Sequence, residues 1–138
     1  MSLVDVTKPR VLLVEDDRAV RSALMGSLES AGFDVIGVEE AGPALDVLAR
    51  RRIDVVITDY HLPGIAGLDL LAAIRGTAPG TILILYSGGM TEELAAEARD
   101  YGVAVVLEKP ISAELLIAAV RRAQETSDRG SASPEPRP

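Results

Sequence analysis

The sequence predicts a doubly wound α/β fold, a parallel sheet covered by helices on both faces. Helical and strand periods alternate from residue 10 to residue 125, a pattern that favours strand–helix–strand units over separate blocks of strands and helices. The strand candidates are continuous apolar runs, as expected of strands buried on both faces. Four of them, VLLV, VVIT, ILILY and VAVVL, end on Glu15-Asp16-Asp17, Asp59, Ser87 and Glu108-Lys109-Pro110. In a parallel sheet those ends meet at one edge, where an open α/β sheet holds its ligand.

The first strand is Arg10–Val14, followed by a helix Arg18–Ser30 with Val20, Leu24 and Leu28 at helical spacing and Ala31-Gly32 as its stop. A second strand over 33–38 leads to a helix over 43–50, with Pro43 suited to the first turn. The run 53–58 reads as a central strand, the Pro/Gly stretch 61–67 as a turn, and 68–75 as the next helix. A fourth strand over 81–86 precedes a helix from Thr91 to about Tyr101, which Gly102 ends. The fifth strand, 103–107, is followed by a closing helix over 112–124, opened by Ser112, with Leu115 and Leu116 on its inner face. Residues 1–8 form an N-terminal extension, 9–125 the single domain, and 126–138 a Pro/Ser-rich tail too poor in apolar residues to fold. No second domain follows in the sequence, so an attached output module is not expected.

A hydrophobic fraction of 48% with only 3% aromatics implies a core of Val, Leu, Ile and Ala. No apolar run approaches the roughly 20 residues that span a bilayer, and the start lacks the basic and apolar segments of a signal peptide. The absence of cysteine excludes disulfides, thiolate catalysis and Cys-ligated zinc, and it fits a reducing cytosol. A soluble, cytoplasmic protein is therefore expected, with no membrane partner. The formal net charge of −7 argues against nucleic acid as a partner. The one basic run, Arg50-Arg51-Arg52, falls where a helix ends and suits the negative pole of its dipole.

Chemistry concentrates at the strand ends. Asp59, beside a turn, is a candidate nucleophile, since a carboxylate can carry a phosphoryl group. Glu15 and Asp16 end what should be the adjacent strand, and three close carboxylates are tolerated mainly when a divalent cation neutralises them. Oxygen-only donors point to Mg²⁺. Asp17 is expected to cap the following helix. Lys109, held extended by Pro110, supplies the opposite charge, and Ser87 before Gly88-Gly89 offers a hydroxyl with room for an oxyanion. Acceptor, acidic pair, hydroxyl and ammonium are the parts that phosphoryl transfer needs.

VLLVEDD, VVITDYHLPGIAGLDLL, ILILYSGG and EKP, in this order and spacing, resemble the receiver domain of two-component response regulators over roughly residues 9–125. The resemblance implies a flavodoxin-like (CheY-like) fold with five parallel strands in order 2-1-3-4-5 and five helices. It makes Asp59 the acceptor of a phosphoryl group from a histidine kinase or histidine phosphotransfer protein. Mg²⁺, with Mn²⁺ as substitute, would be held by Asp16 directly, Glu15 through water, Asp59, and the backbone carbonyl of His61. Ser87 would be the switch hydroxyl and Lys109 the phosphate ligand, with Pro110 cis. A downstream protein would be the target, and the chain would be a monomer or a weak phosphorylation-dependent dimer. The role is that of a signalling phosphoacceptor rather than an enzyme.

Two positions depart from the pattern. The family's switch aromatic, three residues before the lysine, is here Val106, and the Phe that often follows the proline is here Ile111. The phosphorylation chemistry is expected to survive both, whereas output through an aromatic flip is in doubt and a smaller shift of the loop or of the helix near 90–100 would have to serve. The sole histidine, His61, lies in a turn and is no phosphodonor, although its side chain at the rim bears on water access. A haloacid-dehalogenase-like phosphohydrolase would need a carboxylate where His61 stands. A flavodoxin would need a Ser/Thr/Gly-rich loop where Glu15-Asp16-Asp17 stand. A receiver segment of a hybrid histidine kinase would look the same. A receiver-like module that is never phosphorylated fits the complete set of site residues poorly.

Overall fold

The computed structural model describes residues 8–132. Most of the expected N-terminal extension, and residues 133–138 of the expected tail, lie outside the described residues.

The elements in chain order are β1 (Arg10–Val14), α1 (Arg18–Ser30), β2 (Asp34–Val38), α2 (Ala41–Arg50), β3 (Val55–Asp59), α3 (Gly67–Thr77), β4 (Ile82–Ser87), α4 (Glu92–Asp100), β5 (Val103–Glu108) and α5 (Ala113–Ala132). The sheet is parallel throughout, in the order β2-β1-β3-β4-β5. Strand order reverses on either side of β1, so a crevice opens between the C-terminal ends of β1 and β3. Register aligns those ends: Val14 lies opposite Thr58, Asp59 opposite Tyr86, and Ser87 opposite Glu108.

The strand period of two sorts side chains between two cores. Leu12, Val14, Val56, Leu83 and Leu85 face α2, α3 and α4, meeting Ala44, Leu48, Leu70, Leu71, Ile74 and Ala98. Val11, Leu13, Val55, Ile57, Ile84 and Tyr86 face the other side, meeting Leu24 and Leu28 of α1 and Leu116 and Val120 of α5. Each buried aliphatic side chain of this kind contributes about 1.5–3 kcal/mol of transfer free energy. Every residue of β3 is buried, as its unbroken apolar run implied. The same parity puts Asp59 and Tyr86 on the α1/α5 side and, carried one residue past β1 and β5, Glu15 and Lys109 as well.

Helix boundaries follow local chemistry. The Asp17 carboxylate caps α1 by accepting from the Val20 amide at 3.1 Å, and Thr91 caps α4 by accepting from the Leu94 amide at 3.1 Å. Gly32 (φ 101°) and Gly102 (φ 84°) take the left-handed conformation just after α1 and α4, where a side chain would be strained. Helix α2 begins two residues before Pro43, which still falls within the first turn, where its missing N–H has no intrahelical partner to lose. Arg50 sits in the last turn of α2, where its charge complements the dipole.

Three expectations are corrected. The closing helix does not stop near Gln124: α5 continues to Ala132, so 126–132 of the expected tail are helical. Extending an existing helix fixes one residue per added hydrogen bond, and no proline intervenes before Pro134. Leu115 is 63% exposed while Leu116 is fully buried, because adjacent helical residues point about 100° apart and the buried stripe is Leu116, Val120 and Ala123. Val20 shares the spacing of Leu24 and Leu28 but lies in the first turn of α1, beyond the cover of the sheet, and is 38% exposed. Among the described residues no helix is long and apolar enough to cross a membrane.

Candidate functional site

Strand β1 delivers Glu15 and Asp16 to the crevice, β3 delivers Asp59, and β4 delivers Tyr86 and Ser87. Just after β5 comes Lys109, whose backbone N–H donates to the Ser87 carbonyl at 2.9 Å and which precedes a cis Lys109–Pro110 bond. All the candidate residues from these strand ends converge there. Asp59 is nearly buried and fully engaged. Its Oδ2 accepts from Lys109 Nζ at 2.7 Å, and its Oδ1 accepts from the His61 backbone N–H at 2.9 Å and from Ser87 Oγ at 3.0 Å. The carboxylate is thus held by three donors from three different segments.

Glu15 is 1% exposed, and each of its oxygens already has a donor. Oε1 accepts from Lys109 Nζ at 3.1 Å and from the Tyr86 hydroxyl, and Oε2 accepts from the Asp17 backbone N–H at 2.9 Å. Its backbone carbonyl accepts from Arg21 Nη1 at 2.7 Å, which ties the end of β1 to α1. Asp16, by contrast, is exposed.

One carboxylate oxygen from each of Glu15, Asp16 and Asp59 lies within 4.8 Å of the others. Three carboxylates facing the single ammonium of Lys109 leave an excess of negative charge. That excess, the hard oxygen donors and the exposed third ligand fit a divalent cation such as Mg²⁺, which binds through a few carboxylates and keeps several waters. Burial draws the Lys109 pKa down, but hydrogen bonds and charges from Asp59 and Glu15 outweigh it and leave the pKa above its ordinary 10.5. The ammonium stands over the Tyr86 ring, 4.6 Å from its centroid.

Tyr86 was not picked out from the sequence. The available signal was one hydroxylated aromatic in an otherwise aliphatic strand, ILILYS, since a buried tyrosine normally finds a partner for its hydroxyl. Burial and the hydrogen bond to Glu15 raise its pKa, so the phenol stays protonated and donates. Val106 packs on the other face, toward the α2/α3/α4 core, as do Tyr60, Met90 and Tyr101.

A parallel 2-1-3-4-5 sheet carrying an acidic cluster, a hydroxyl and a lysine at its switch point defines the class of small α/β signalling domains. The chain matches the family model described as "Response regulator receiver domain" over residues 11–121 and belongs to that family. It is 41% identical over 113 residues to the response regulator protein FleR of Pseudomonas aeruginosa, covering 82% of this chain and 24% of that protein. It is 37% identical over 110 residues to the sensor histidine kinase AruS of the same species, covering 77% of this chain and 11% of that protein. The chain therefore spans a quarter or less of these two relatives. Among solved structures, a signal receiver domain of an HD-domain-containing protein from Pseudomonas fluorescens superposes with TM-score 0.80 at 32% identity, covering 88% of this chain and 98% of that one. A CheY-like receiver domain from Methanospirillum hungatei superposes with TM-score 0.85 at 22% identity over 90% of this chain and 99% of that one, which speaks to the fold.

Proposed function

We propose that Asp59 is the phosphoacceptor, with Ser87 and Lys109 receiving the phosphoryl oxygens and Glu15, Asp16, Asp59 and the His61 carbonyl serving the metal. The observation that carries this is the set of donors converging on the Asp59 carboxylate. Lys109 Nζ, Ser87 Oγ and the His61 N–H already surround it, and they are the groups able to follow negative charge outward onto a phosphoryl group. An Asp59 oxygen attacks phosphorus in line, the bond from phosphorus to the donor's imidazole nitrogen or carboxyl oxygen breaks, and the leaving group departs with that electron pair. Mg²⁺ held by these residues would supply positive charge to offset the clustered carboxylates and the charge on a phosphoryl group.

In this reading Asp16, the exposed carboxylate of the cluster, and Asp59 are the direct carboxylate ligands, and Glu15 acts through water. Asp16→Ala is expected to weaken Mg²⁺ binding at least tenfold while leaving the fold intact, because the side chain is exposed. An unchanged Mg²⁺ titration would remove Asp16 from the ligand set.

The phosphodonor is read as a histidine kinase or histidine phosphotransfer protein. An apolar hollow of about 390 Å³, lined by Val20, Leu24, Tyr86, Lys109, Pro110 and Ile111, opens beside the pocket. It offers such a donor a surface next to Asp59, and the exposure of Val20 suits that use. Val20→Asp is expected to slow transfer from a protein donor at least tenfold and to leave labelling by acetyl phosphate unchanged. Equal loss with both donors would count against docking here. The phosphoacceptor reading itself is tested by intact mass after incubation with acetyl phosphate and Mg²⁺. One phosphoryl adduct is expected, and none, under conditions that modify a control receiver, would refute it.

A further inference from the structure

We infer that Tyr86 is a positioning residue that keeps Glu15 satisfied while Lys109 moves to the phosphoryl group; this rests on the phosphoacceptor reading of Asp59. Lys109 is shared between two carboxylates, at 2.7 Å from Asp59 and 3.1 Å from Glu15. When a phosphoryl group is attached to Asp59, the ammonium must turn toward the new oxygens. Glu15 then loses a charged donor from Oε1, and at 1% exposure bulk solvent does not replace it. A buried acceptor left unpaired is costly, and more so when it is charged.

Two other donors remain on Glu15. The Asp17 N–H serves Oε2, and the Tyr86 hydroxyl serves Oε1, the oxygen that Lys109 would leave. The Tyr86 side chain is almost fully buried, and its ring lies beneath the Lys109 ammonium. It therefore supports the ammonium from below while its hydroxyl anchors the carboxylate that the ammonium releases. A phenylalanine at this position could do only the first. The hydroxyl thus lowers the cost of transferring Lys109 from Glu15 to phosphate.

The test uses Tyr86→Phe, which keeps the ring and removes the hydroxyl. With acetyl phosphate and saturating Mg²⁺, the maximal labelling rate is expected to fall about tenfold, the loss set by one hydrogen bond to a charged group. The donor concentration giving half-maximal rate should stay unchanged, because the hydroxyl does not touch the donor. Separately, urea unfolding without metal or phosphodonor is expected to show coupling. Tyr86→Phe should lower the midpoint clearly in the wild-type background and much less in the Glu15→Met background, where the side chain at 15 offers the hydroxyl no oxygen acceptor. Additive midpoint shifts would overturn the inference, since the Tyr86 hydroxyl would then not act through Glu15. Coupling in urea with an unchanged labelling rate would also overturn it, while leaving Asp59 as acceptor. A wild type that takes no phosphoryl group would overturn both readings.

Discussion

Asp59→Asn is expected to abolish phosphoryl uptake, with no adduct by intact mass where the wild type carries one. The amide oxygen can still accept from the His61 N–H and from Ser87 Oγ, so the surrounding geometry has no reason to collapse. What disappears is the anionic nucleophile, and none of the remaining donors supplies another. Glu15 is no substitute: it is buried, and both its oxygens already have donors. Persistence of a stoichiometric adduct on the variant would move the acceptor to another residue, with Asp16, the exposed carboxylate of the cluster, the first to examine.

Lys109→Met is expected to lower stability in metal-free buffer by about 2 kcal/mol, the scale of losing hydrogen bonds from a charged donor to two carboxylates. Solvent screens the pair and limits the loss, because the lysine side chain is 30% exposed. Methionine keeps an apolar stem over the Tyr86 ring, so the loss isolates the charge. Saturating Mg²⁺ should recover most of it, because the divalent cation neutralises the same carboxylates. Urea unfolding with and without Mg²⁺ measures both quantities, and a variant as stable as the wild type without metal would show that the ion pairs contribute nothing net.

The pH dependence carries a definite sign. A lysine with a raised folded pKa contributes stability that is complete below its unfolded value and is lost as pH rises through the folded one. The difference between wild type and Lys109→Met should therefore be flat from neutrality to about pH 10 and shrink only above the ordinary value of 10.5. A difference that fades already near pH 8 would contradict the paired ammonium.

Val106, which stands where the resemblance led to an aromatic being expected, packs away from this pocket. Val106 is half-buried on the side facing α2, α3 and α4, away from the core that holds Tyr86. The residue that adds an aromatic ring to the pocket thus stands on the opposite face of the sheet from the usual switch position.

Much of the molecule was legible in the residues. Continuous apolar runs set the strands, because a strand covered on both faces has no polar side to show. Asp17, Thr91 and Ser112 marked helix starts through side chains suited to unpaired amides. The Leu115 expectation failed because adjacent helical residues point in different directions, and on α5 it is Leu116 that takes the core-facing place. Val20, though in step with Leu24 and Leu28, is exposed because spacing along one helix does not reveal how far its cover extends. The helical stretch 126–132 was missed because composition weighs apolar content, whereas extending a helix needs only an unblocked backbone.

By itself the sequence determined the order of elements and the residue types at each strand end, since both depend on period, propensity and local capping. Tertiary structure decided which of those ends share atoms. Only strand order and register bring Lys109 within reach of Asp59 and Glu15, residues 50 and 94 positions away, and only side-chain parity in β4 turns Tyr86 toward Glu15. Charge sharing among groups so distant in the chain depends on ångström-scale distances, and those exist only once the sheet has closed the crevice around them.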